Sequence, residues 1–334
     1  MLPPLQIATH ARRGPKAPAG LRGAQIEQIR RTVRRVPEVM VKVTGGGRKV
    51  GAVAEHCAYI IQHGELELET DDGQRVGKAG QKDLLRDWHL KLTAGQYRSQ
   101  PRGAKAAVKG IKLVHNIVLS MPAPTPPDKV LAAAKVFARE KFALKHRYAM
   151  ALHTHQQHPH VHLVVKAEGF DGRRLHIDKA MLREWRRDYA RMMRDQGIAA
   201  NATPRAVRGR NKGAERDGRY RARKRGSSRA IREKAEDVAR ELMRSGTIHD
   251  PGHAKLAETR KAVVAGWLGV AAVLDRQGQA GLAGEVRQFV KSMPPVLTDR
   301  ERIAAELVRI VKAQRSARTQ EDDLVRERTP ERTR

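Results

Sequence analysis

The chain has 334 residues, of which 67 are lysine or arginine and 36 are aspartate or glutamate, so its formal net charge is +31. A charge of this size predicts a polyanionic partner, nucleic acid above all. Hydrophobic residues make up 40% of the sequence, which excludes a wholly disordered chain. The single cysteine, Cys57, excludes an internal disulfide and a cysteine-only metal cage, and it favours a reducing, intracellular compartment.

The first two thirds of the chain alternate between strand-like and helix-like segments. A flexible basic arm is expected over 1–24, and an exposed basic loop over 95–110. The predicted elements are a helix over 25–35, a strand over 36–44, a helix over 50–63, a strand over 112–120, a helix over 128–144, strands over 148–155 and 160–167, and a helix over 182–196. Strands separated by helices and a hairpin are typical of an α/β sheet domain.

The last third of the chain has a different composition. Residues 210–229 are rich in arginine, lysine and glycine and predict a basic linker. Residues 230–314 predict a helical region, and residues 315–334 a charged, disordered tail. Breaks between the helices are expected at Ser245-Gly246, Asp250-Pro251-Gly252 and Pro294-Pro295. The longest apolar run, 262–274, is too short to cross a bilayer and predicts a buried helix, so no membrane insertion is expected.

Histidines are concentrated in one short stretch, the predicted hairpin. Five of the 14 lie within ten residues: His153, His155, His158, His160 and His162. If the turn is centred between Gln157 and His158, His155 lies opposite His160 and His153 lies opposite His162. All the histidines of this set except His158 then share one face of the hairpin. Neutral imidazole is a common metal ligand, so this face predicts a metal site with coordination positions open for substrate.

The hairpin also allows a plainer interpretation. A surface run of histidines, or a metal-binding tract without catalysis, has the same composition. The apolar residues Val161, Leu163 and Val165 alternate with the histidines and are expected to face the core, which favours an ordered site. A slip of the register by one residue would turn the histidines of one strand away from those of the other.

One tyrosine stands on the polar side of an amphipathic helix. In the segment 50–63 the apolar side chains fall in one sector, and Tyr59 lies on the other face with Glu55, Gln62 and His63. A half-exposed packing tyrosine explains this placement, and so does a nucleophile. The residues alone do not choose among the five tyrosines.

Three segments, taken in order, resemble the motifs of conjugative relaxases of the HUH (three-histidine) superfamily. HTHQQHPHVHLVV, 153–165, resembles the three-histidine motif, and EHCAYIIQHGELELETDDG, 55–73, resembles the first motif, which carries the nucleophilic tyrosine. HNIVLSMP, 115–122, is similar to the second motif, and 172–209 to the segment that follows the third. The resemblance spans 36–209 and is strongest to the P group of plasmid mobilisation nucleases, which includes the T-DNA border endonuclease type.

The resemblance implies a fold, a reaction and a set of site residues. The fold is a relaxase domain over 25–209, with a central, mainly antiparallel sheet flanked by helices, followed by a helical C-terminal region. The reaction is site- and strand-specific nicking of DNA at a transfer origin by tyrosine transesterification, with a 5′-phosphotyrosyl intermediate, and rejoining. The residues that it implies are Tyr59 as nucleophile, His153, His160 and His162 as ligands of a divalent cation, Mg²⁺ or Mn²⁺, and Ser120 as the residue that holds DNA near the nick.

Two parts of the site depart from the motif or lie beside it. The family often has an aspartate where this sequence has His155, so His155 either acts as the general base itself or is a fourth ligand. Arg173, Arg174 and Arg205, which follow the motif in the sequence, are candidate DNA contacts.

The resemblance also implies partners and a location. The expected partner is single-stranded DNA at the transfer origin, with accessory nicking proteins and a type IV coupling protein as further partners. The expected location is the bacterial cytoplasm, with transfer to the recipient cell alongside the DNA. Two alternatives stay open: an HUH-type replication initiator or transposase, and a non-catalytic basic DNA-binding accessory protein. The sequence has no GxxxxGK[ST] loop, which disfavours an initiator with a helicase domain.

Overall fold

The computed structural model describes residues 20–90, 111–210 and 229–328. Most of the predicted arm 1–24, the predicted loop 95–110 and nearly all of the predicted linker 210–229 lie outside these ranges. The described residues divide into two compact units, one over 31–203 and one formed by the residues before 31 together with those after 203. The sequence-based domain limits, 25–209 among them, stay predictions.

The unit over 31–203 is built on a six-stranded sheet. The strands are β1 Met40–Gly45, β2 Leu68–Thr70, β3 Arg75–Val76, β4 Val114–Ser120, β5 Tyr148–His153 and β6 His160–Lys166. Their order across the sheet is β1-β4-β6-β5-β2-β3, and every neighbouring pair is antiparallel. The expected antiparallel sheet flanked by helices is therefore confirmed.

Helices cover both faces of this sheet. The helices of the chain up to residue 203 are α1 Gly23–Val33, α2 Val50–Ile60, α3 Gln81–Asp87, α4 Pro127–Phe142 and α5 Lys179–Asp195. One face packs on α4 and α5 through Val161, Leu163 and Val165, as expected, together with Phe137 and Trp185. The opposite face packs on α2 and α3 through a second apolar cluster that includes Val53, Cys57, Ala151 and Val164.

Helix α2 is shorter than the sequence predicts. The predicted helix runs to residue 63, but α2 ends at Ile60 and a single 3₁₀ turn, Gln62–Gly64, follows it. Gln62 and His63 have φ angles of 51° and 58°, in the left-handed region, which an α-helix cannot contain. The chain therefore leaves the helix directly after Tyr59 and Ile60.

The register of the hairpin differs from the predicted one. The structure pairs His153 with His160 and Ala151 with His162, whereas the sequence-based prediction placed His155 opposite His160 and His153 opposite His162. The six residues 154–159 form the connection, not four. Pro159 has no N–H to donate to the ladder, so pairing begins only at His160. The shift is two residues, and because side chains alternate with a period of two it leaves each histidine of the strands on its predicted face.

The second unit is helical. Its helices after residue 203 are α6 Arg229–Ser245, α7 Gly252–Arg276, α8 Ala280–Lys291 and α9 Asp299–Arg328. The predicted breaks at Ser245-Gly246 and Asp250-Pro251-Gly252 fall in a single connection between α6 and α7, and the break at Pro294-Pro295 separates α8 from α9. The apolar run 262–274 lies in α7, where Trp267 is buried and its Nε1 donates to the carbonyl of Val207 at 2.8 Å. A further break, after α7, was not predicted and has Gly278 at φ 73°.

Helix α9 continues into the segment predicted to be a disordered tail. It runs to Arg328, well beyond residue 315. Charges of both signs alternate there among helix-favouring residues, and Pro330 follows, so the sequence supports a helix where its charge content alone had suggested disorder. Among the described residues, no helix has the length and apolar character needed to cross a membrane.

Candidate active site

The three histidines predicted as metal ligands lie together where the hairpin begins and ends. His153 is the last residue of β5, His160 is the first of β6, and His162 follows on the same face. The ring centroids are 5.2 Å apart for His153 and His160, 4.5 Å for His153 and His162, and 5.1 Å for His160 and His162. One nitrogen of each ring lies within 4.8 Å of those of the other two. We call these residues the histidine triad.

Hydrogen bonds determine which ring nitrogens of the triad are free. The Nε2 of His153 donates to the carbonyl of Ile60 at 2.6 Å, so its Nδ1 carries the lone pair. The Nδ1 of His160 donates to the carbonyl of His158 at 2.9 Å, so its Nε2 carries the lone pair. Metal-ligating histidines typically donate their other ring N–H to a carbonyl or carboxylate in this way.

Burial keeps the triad uncharged. It lowers the pKa of His162 to about 3, with the other imidazoles of the site adding to the effect. Burial also lowers the pKa of His153 and of His160, against the smaller opposing effect of their hydrogen bonds to carbonyls. At neutral pH the three rings are therefore neutral and offer lone pairs.

The triad fits a divalent cation. The Nδ1 of His153 is buried and has no hydrogen-bond partner in the described part of the chain, which is costly for a polar atom unless something else binds it. Three neutral imidazoles with nitrogens this close together are a donor set that divalent cations bind. His153, His160 and His162 would hold the ion and leave its remaining positions open.

Tyr59 lies beside the triad. It is on the last turn of α2, its side chain is 43% exposed, and its ring centroid is 6.1 Å from that of His162 and 6.5 Å from that of His153. A cavity of about 330 Å³ adjoins it, lined by Tyr59, Gln62, His63, Glu65, His153 and His155. A larger cavity of about 500 Å³, next to Arg147, is not lined by Tyr59 or by the triad.

His155 is near the triad but is not part of it. It lies in the connection between β5 and β6, with its ring centroid 5.1 Å from that of His153 and 6.3 Å from that of His160. Its Nδ1 is 2.7 Å from the Nε2 of Gln62, so it accepts a hydrogen bond from that amide. His155 therefore lines the same cavity as Tyr59 without being brought into the group of three.

One neighbour of Tyr59 was not predicted. The ring of His56 stacks on that of Tyr59 with centroids 6.2 Å apart, and it lies at the same distance from His162. Burial lowers the pKa of His56. The signal was present in the sequence, because residues three apart on a helix are neighbours, and His56 and Tyr59 are three apart.

The comparisons with known proteins assign part of this chain to a family. Residues 85–198 match the family model described as relaxase, MobA/VirD2-like, nuclease domain. These residues are therefore similar to the nuclease domain of relaxases. The matched segment contains the triad and Ser120, and Tyr59 lies before it. This similarity implies endonuclease activity of the kind that nicks DNA in conjugative transfer.

The chain was also compared with solved structures and with curated proteins. A solved structure described as "Molecular Basis of Vancomycin Resistance Transfer in Staphylococcus aureus" is similar to the chain at 12% sequence identity with a TM-score of 0.32. The match covers 51% of this chain and 99% of that one. No curated protein matches the chain.

Ser120, one of the residues predicted to contact DNA, lies next to the triad. Ser120 faces the same side of the sheet as His160, its cross-strand partner, and its buried hydroxyl donates to the carbonyl of Pro159 at 3.1 Å. This hydrogen bond holds Pro159, the residue directly before β6.

Two of the predicted arginines, Arg173 and Arg174, are not brought to the triad. Arg173 and Arg174 follow the far end of β6, about 20 Å from His160 at the rise of a strand. The Arg173 side chain is exposed, whereas Arg174 is half-buried, donates to the carbonyl of Lys112 and pairs with Glu168 at 3.8 Å. Arg205 belongs to the other unit. Their roles in DNA binding stay predictions.

Proposed function

We propose that this chain is a site- and strand-specific relaxase that nicks and rejoins DNA at a transfer origin through a covalent link to Tyr59. One observation carries the proposal. Tyr59 and His153 are far apart in the sequence, yet the structure brings the exposed tyrosine ring within 6.5 Å of the triad. A nuclease that used only metal-bound water would not need a tyrosine at this position.

The proposed reaction exchanges one phosphate ester for another. The Oη of Tyr59 forms a bond to the scissile phosphorus and the bond from phosphorus to the 3′ oxygen breaks, which leaves a 5′-phosphotyrosyl link and a free 3′-OH. The tyrosine proton is lost and the departing 3′ oxygen gains one, so the exchange is balanced. Because the ester bond is conserved in the link to the protein, the reverse reaction rejoins the strand without ATP.

The residues of the site have separate parts in this proposal. His153, His160 and His162 hold the divalent cation, Mg²⁺ or Mn²⁺, which when bound neutralises the nonbridging oxygens of the phosphate. The triad also orients the phosphate toward Tyr59. A neutral imidazole is suited to take the phenol proton, and in this proposal His155, which lines the same cavity as Tyr59, takes it once the Gln62 amide releases the lone pair of its Nδ1.

The partners in this proposal follow from the charge and the family. Single-stranded DNA at the transfer origin is the substrate, and a formal charge of +31 supports strong, salt-dependent binding of it. Accessory nicking proteins and a type IV coupling protein are further partners. In this proposal the enzyme acts in the bacterial cytoplasm and travels to the recipient cell with the linked strand.

The test is a search for the covalent adduct. Single-stranded oligonucleotides tiled across the transfer origin of the encoding element are incubated with the protein and Mn²⁺, then analysed on denaturing gels. We expect an adduct linked to the 5′ end that the nick creates, absent from the Tyr59→Phe variant and retained in a Tyr189→Phe control. Tyr189 is fully buried and cannot reach DNA.

Other outcomes would support other functions. Cleavage without an adduct would indicate hydrolysis by a metal-bound water and contradict the role of Tyr59. Binding without cleavage, across metals and origin sequences, would favour the accessory DNA-binding protein. Cleavage and joining at element ends or at a replication origin, but not at a transfer origin, would favour the transposase or initiator alternative.

A further inference from the structure

The edge strand β1 continues the face of the sheet that carries the triad. The antiparallel register pairs Met40 with Ser120 and Ser120 with His160, and in the next row it pairs Lys42 with Val118 and Val118 with His162. Directly paired residues point to the same side of a sheet. Met40 and Lys42 therefore lie on the triad's face, two strand spacings or about 10 Å from β6. We call these two residues the β1 shelf.

The shelf is open, although the neighbouring strand β4 is covered. Met40 is 44% exposed and Lys42 is exposed as well, whereas β4 is buried along its whole length. The other side of β1 is closed, because Val41 is buried in the cluster under α5 and its carbonyl accepts from Arg186 at 3.1 Å. The shelf is therefore an accessible part of the triad's face next to the site.

The charge of the shelf is positive and unbalanced. Lys42 makes no ion pair with any residue that the structure describes, and none of the β4 side chains on this face is acidic. At the far end of β1 the Nζ of Lys112 lies 3.4 Å from the carbonyl of Gly45, and burial together with the nearby Arg48 lowers the pKa of Lys112. Positive charge thus continues along β1, away from the triad.

We propose that the β1 shelf binds the stretch of single-stranded DNA next to the nick, with Lys42 on a phosphate and Met40 against a sugar or base. An ammonium is a compact partner for a phosphate, and an exposed apolar side chain suits the unpaired nucleotide beside it. The position beside the nick rests on the proposed function, whereas the contact with DNA does not.

The experiment compares variants that remove the same charge from two places. Lys42→Gln is matched with Lys179→Gln on α5, a helix that packs against the opposite face of the sheet. Binding of a fluorescein-labelled oligothymidine is followed by anisotropy over a series of salt concentrations, without added metal and in the Tyr59→Phe background so that no cleavage occurs. We expect Lys42→Gln to weaken binding several-fold and to reduce the slope of log K against log salt by about 0.7, the value for one phosphate contact on a single strand. Lys179→Gln should leave the slope unchanged.

A second pair of variants tests the apolar residue. Met40→Glu places a carboxylate on the shelf, and Leu144→Glu places one at an exposed site that follows α4 on the other face. We expect Met40→Glu to raise the Kd several-fold more than Leu144→Glu. Both residues are exposed, so circular dichroism melting curves should show that all four variants remain folded.

The possible results separate this inference from the proposed function. Equal slopes for the two lysine variants, together with equal Kd values for the two glutamate variants, would overturn the shelf even if Tyr59 forms its adduct. Shelf variants that behave as expected while no adduct ever forms would instead leave the shelf as a DNA-binding surface and contradict the nicking proposal.

Discussion

His153 joins two parts of the structure through the two nitrogens of one ring. Its Nε2 donates a hydrogen bond to the carbonyl of Ile60 at the end of α2. This carbonyl is one of the groups that a helix leaves unpaired at its C-terminus. Its Nδ1, the nitrogen left to bind a metal ion, is buried and has no hydrogen-bond partner among the described residues. The same residue therefore holds the turn that follows Tyr59 and presents a ligand.

The triad leads to a prediction about metal affinity. His160→Ala removes one of three lone pairs, so the affinity for Mn²⁺ measured by isothermal titration calorimetry should fall by at least about 100-fold, more than the loss of an outer-shell partner causes. The matched control is His249→Ala, which removes an exposed histidine of the helical unit. Equal Mn²⁺ affinity in the wild type and in both variants would show that the triad is not the metal site.

A buried histidine outside the site predicts a dependence of stability on pH. Burial, with smaller contributions from Lys112, Arg174 and His146, lowers the pKa of His115 to about 4 against the raising effect of its bond to the Leu175 carbonyl. The unfolded chain binds this proton near pH 6.5, so the contribution of His115 to stability is complete above that pH and is lost as the pH falls toward 4.

The measurement is urea unfolding of metal-free protein at two pH values. Between about pH 7.5 and about pH 5 the wild type should lose about 2 kcal/mol more free energy of unfolding than His115→Gln does, since the amide cannot take up the proton. Equal losses in the two proteins would contradict a lowered pKa at His115.

At the scale of elements, the short 3₁₀ turn after α2 shapes the site. Gln62 and His63 occupy the left-handed region, which is unfavourable for residues with a side chain. The turn brings the Gln62 amide to His155 and places Gln62 and His63 in the wall of the cavity next to Tyr59. Unfavourable backbone conformations of this kind occur often at functional sites.

This turn predicts the effect of a glycine substitution. His63 has φ 58° and an exposed side chain. His63→Gly should therefore raise the free energy of unfolding by about 0.5–1 kcal/mol, because the relief of backbone strain exceeds the conformational entropy that glycine adds to the unfolded chain. Gly64, at φ 121°, is the control, and Gly64→Ala should lower stability. Urea denaturation measures both, and a destabilised His63→Gly would mean that the His63 side chain makes a contact that outweighs the strain.

At the scale of the whole molecule, the chain divides into a sheet unit with the site and a helical unit. The core of the helical unit includes Trp267, which is fully buried, packs on Phe289 with ring centroids 5.3 Å apart, and bonds to the Val207 carbonyl. The triad and Tyr59 belong entirely to the sheet unit. Metal binding should therefore not depend on the core of the helical unit.

The division predicts that the helical unit can be destabilised without a change in metal affinity. Trp267→Ala should lower the stability of the helical unit by about 3–5 kcal/mol, the usual cost of removing a large buried ring. The Mn²⁺ affinity of the full chain should stay within about twofold of the wild type in the same calorimetric measurement. The Mn²⁺ affinity of Phe137→Ala, a variant in the core of the sheet unit, is measured under the same conditions for comparison. A large loss of Mn²⁺ affinity in Trp267→Ala would contradict the prediction that metal binding does not depend on the helical unit.

Much of the site was predictable from local pattern. Alternation along 160–165 identified which side chains face the core, and this held although the register was wrong, because the error was two residues and the period of a strand is two. The exposure of Tyr59 followed from helical periodicity. The end of α2 did not, because Gln62 and His63 carry no glycine or proline signal, and their left-handed conformation is stabilised by contacts such as the bond from Gln62 to His155.

The sequence by itself predicted a polyanionic partner and identified the antiparallel sheet, through the family resemblance, and the histidines of the hairpin, because charge, alternation and motif order are local properties of the chain. Only the tertiary structure decided that Tyr59 lies beside the triad, that His155 lines the cavity from a loop, that Arg173 and Arg174 lie at the far end of β6, and that Met40 and Lys42 share the triad's face. Each of these depends on which strands are neighbours and where α2 packs, and those choices minimise exposed apolar surface over the whole unit.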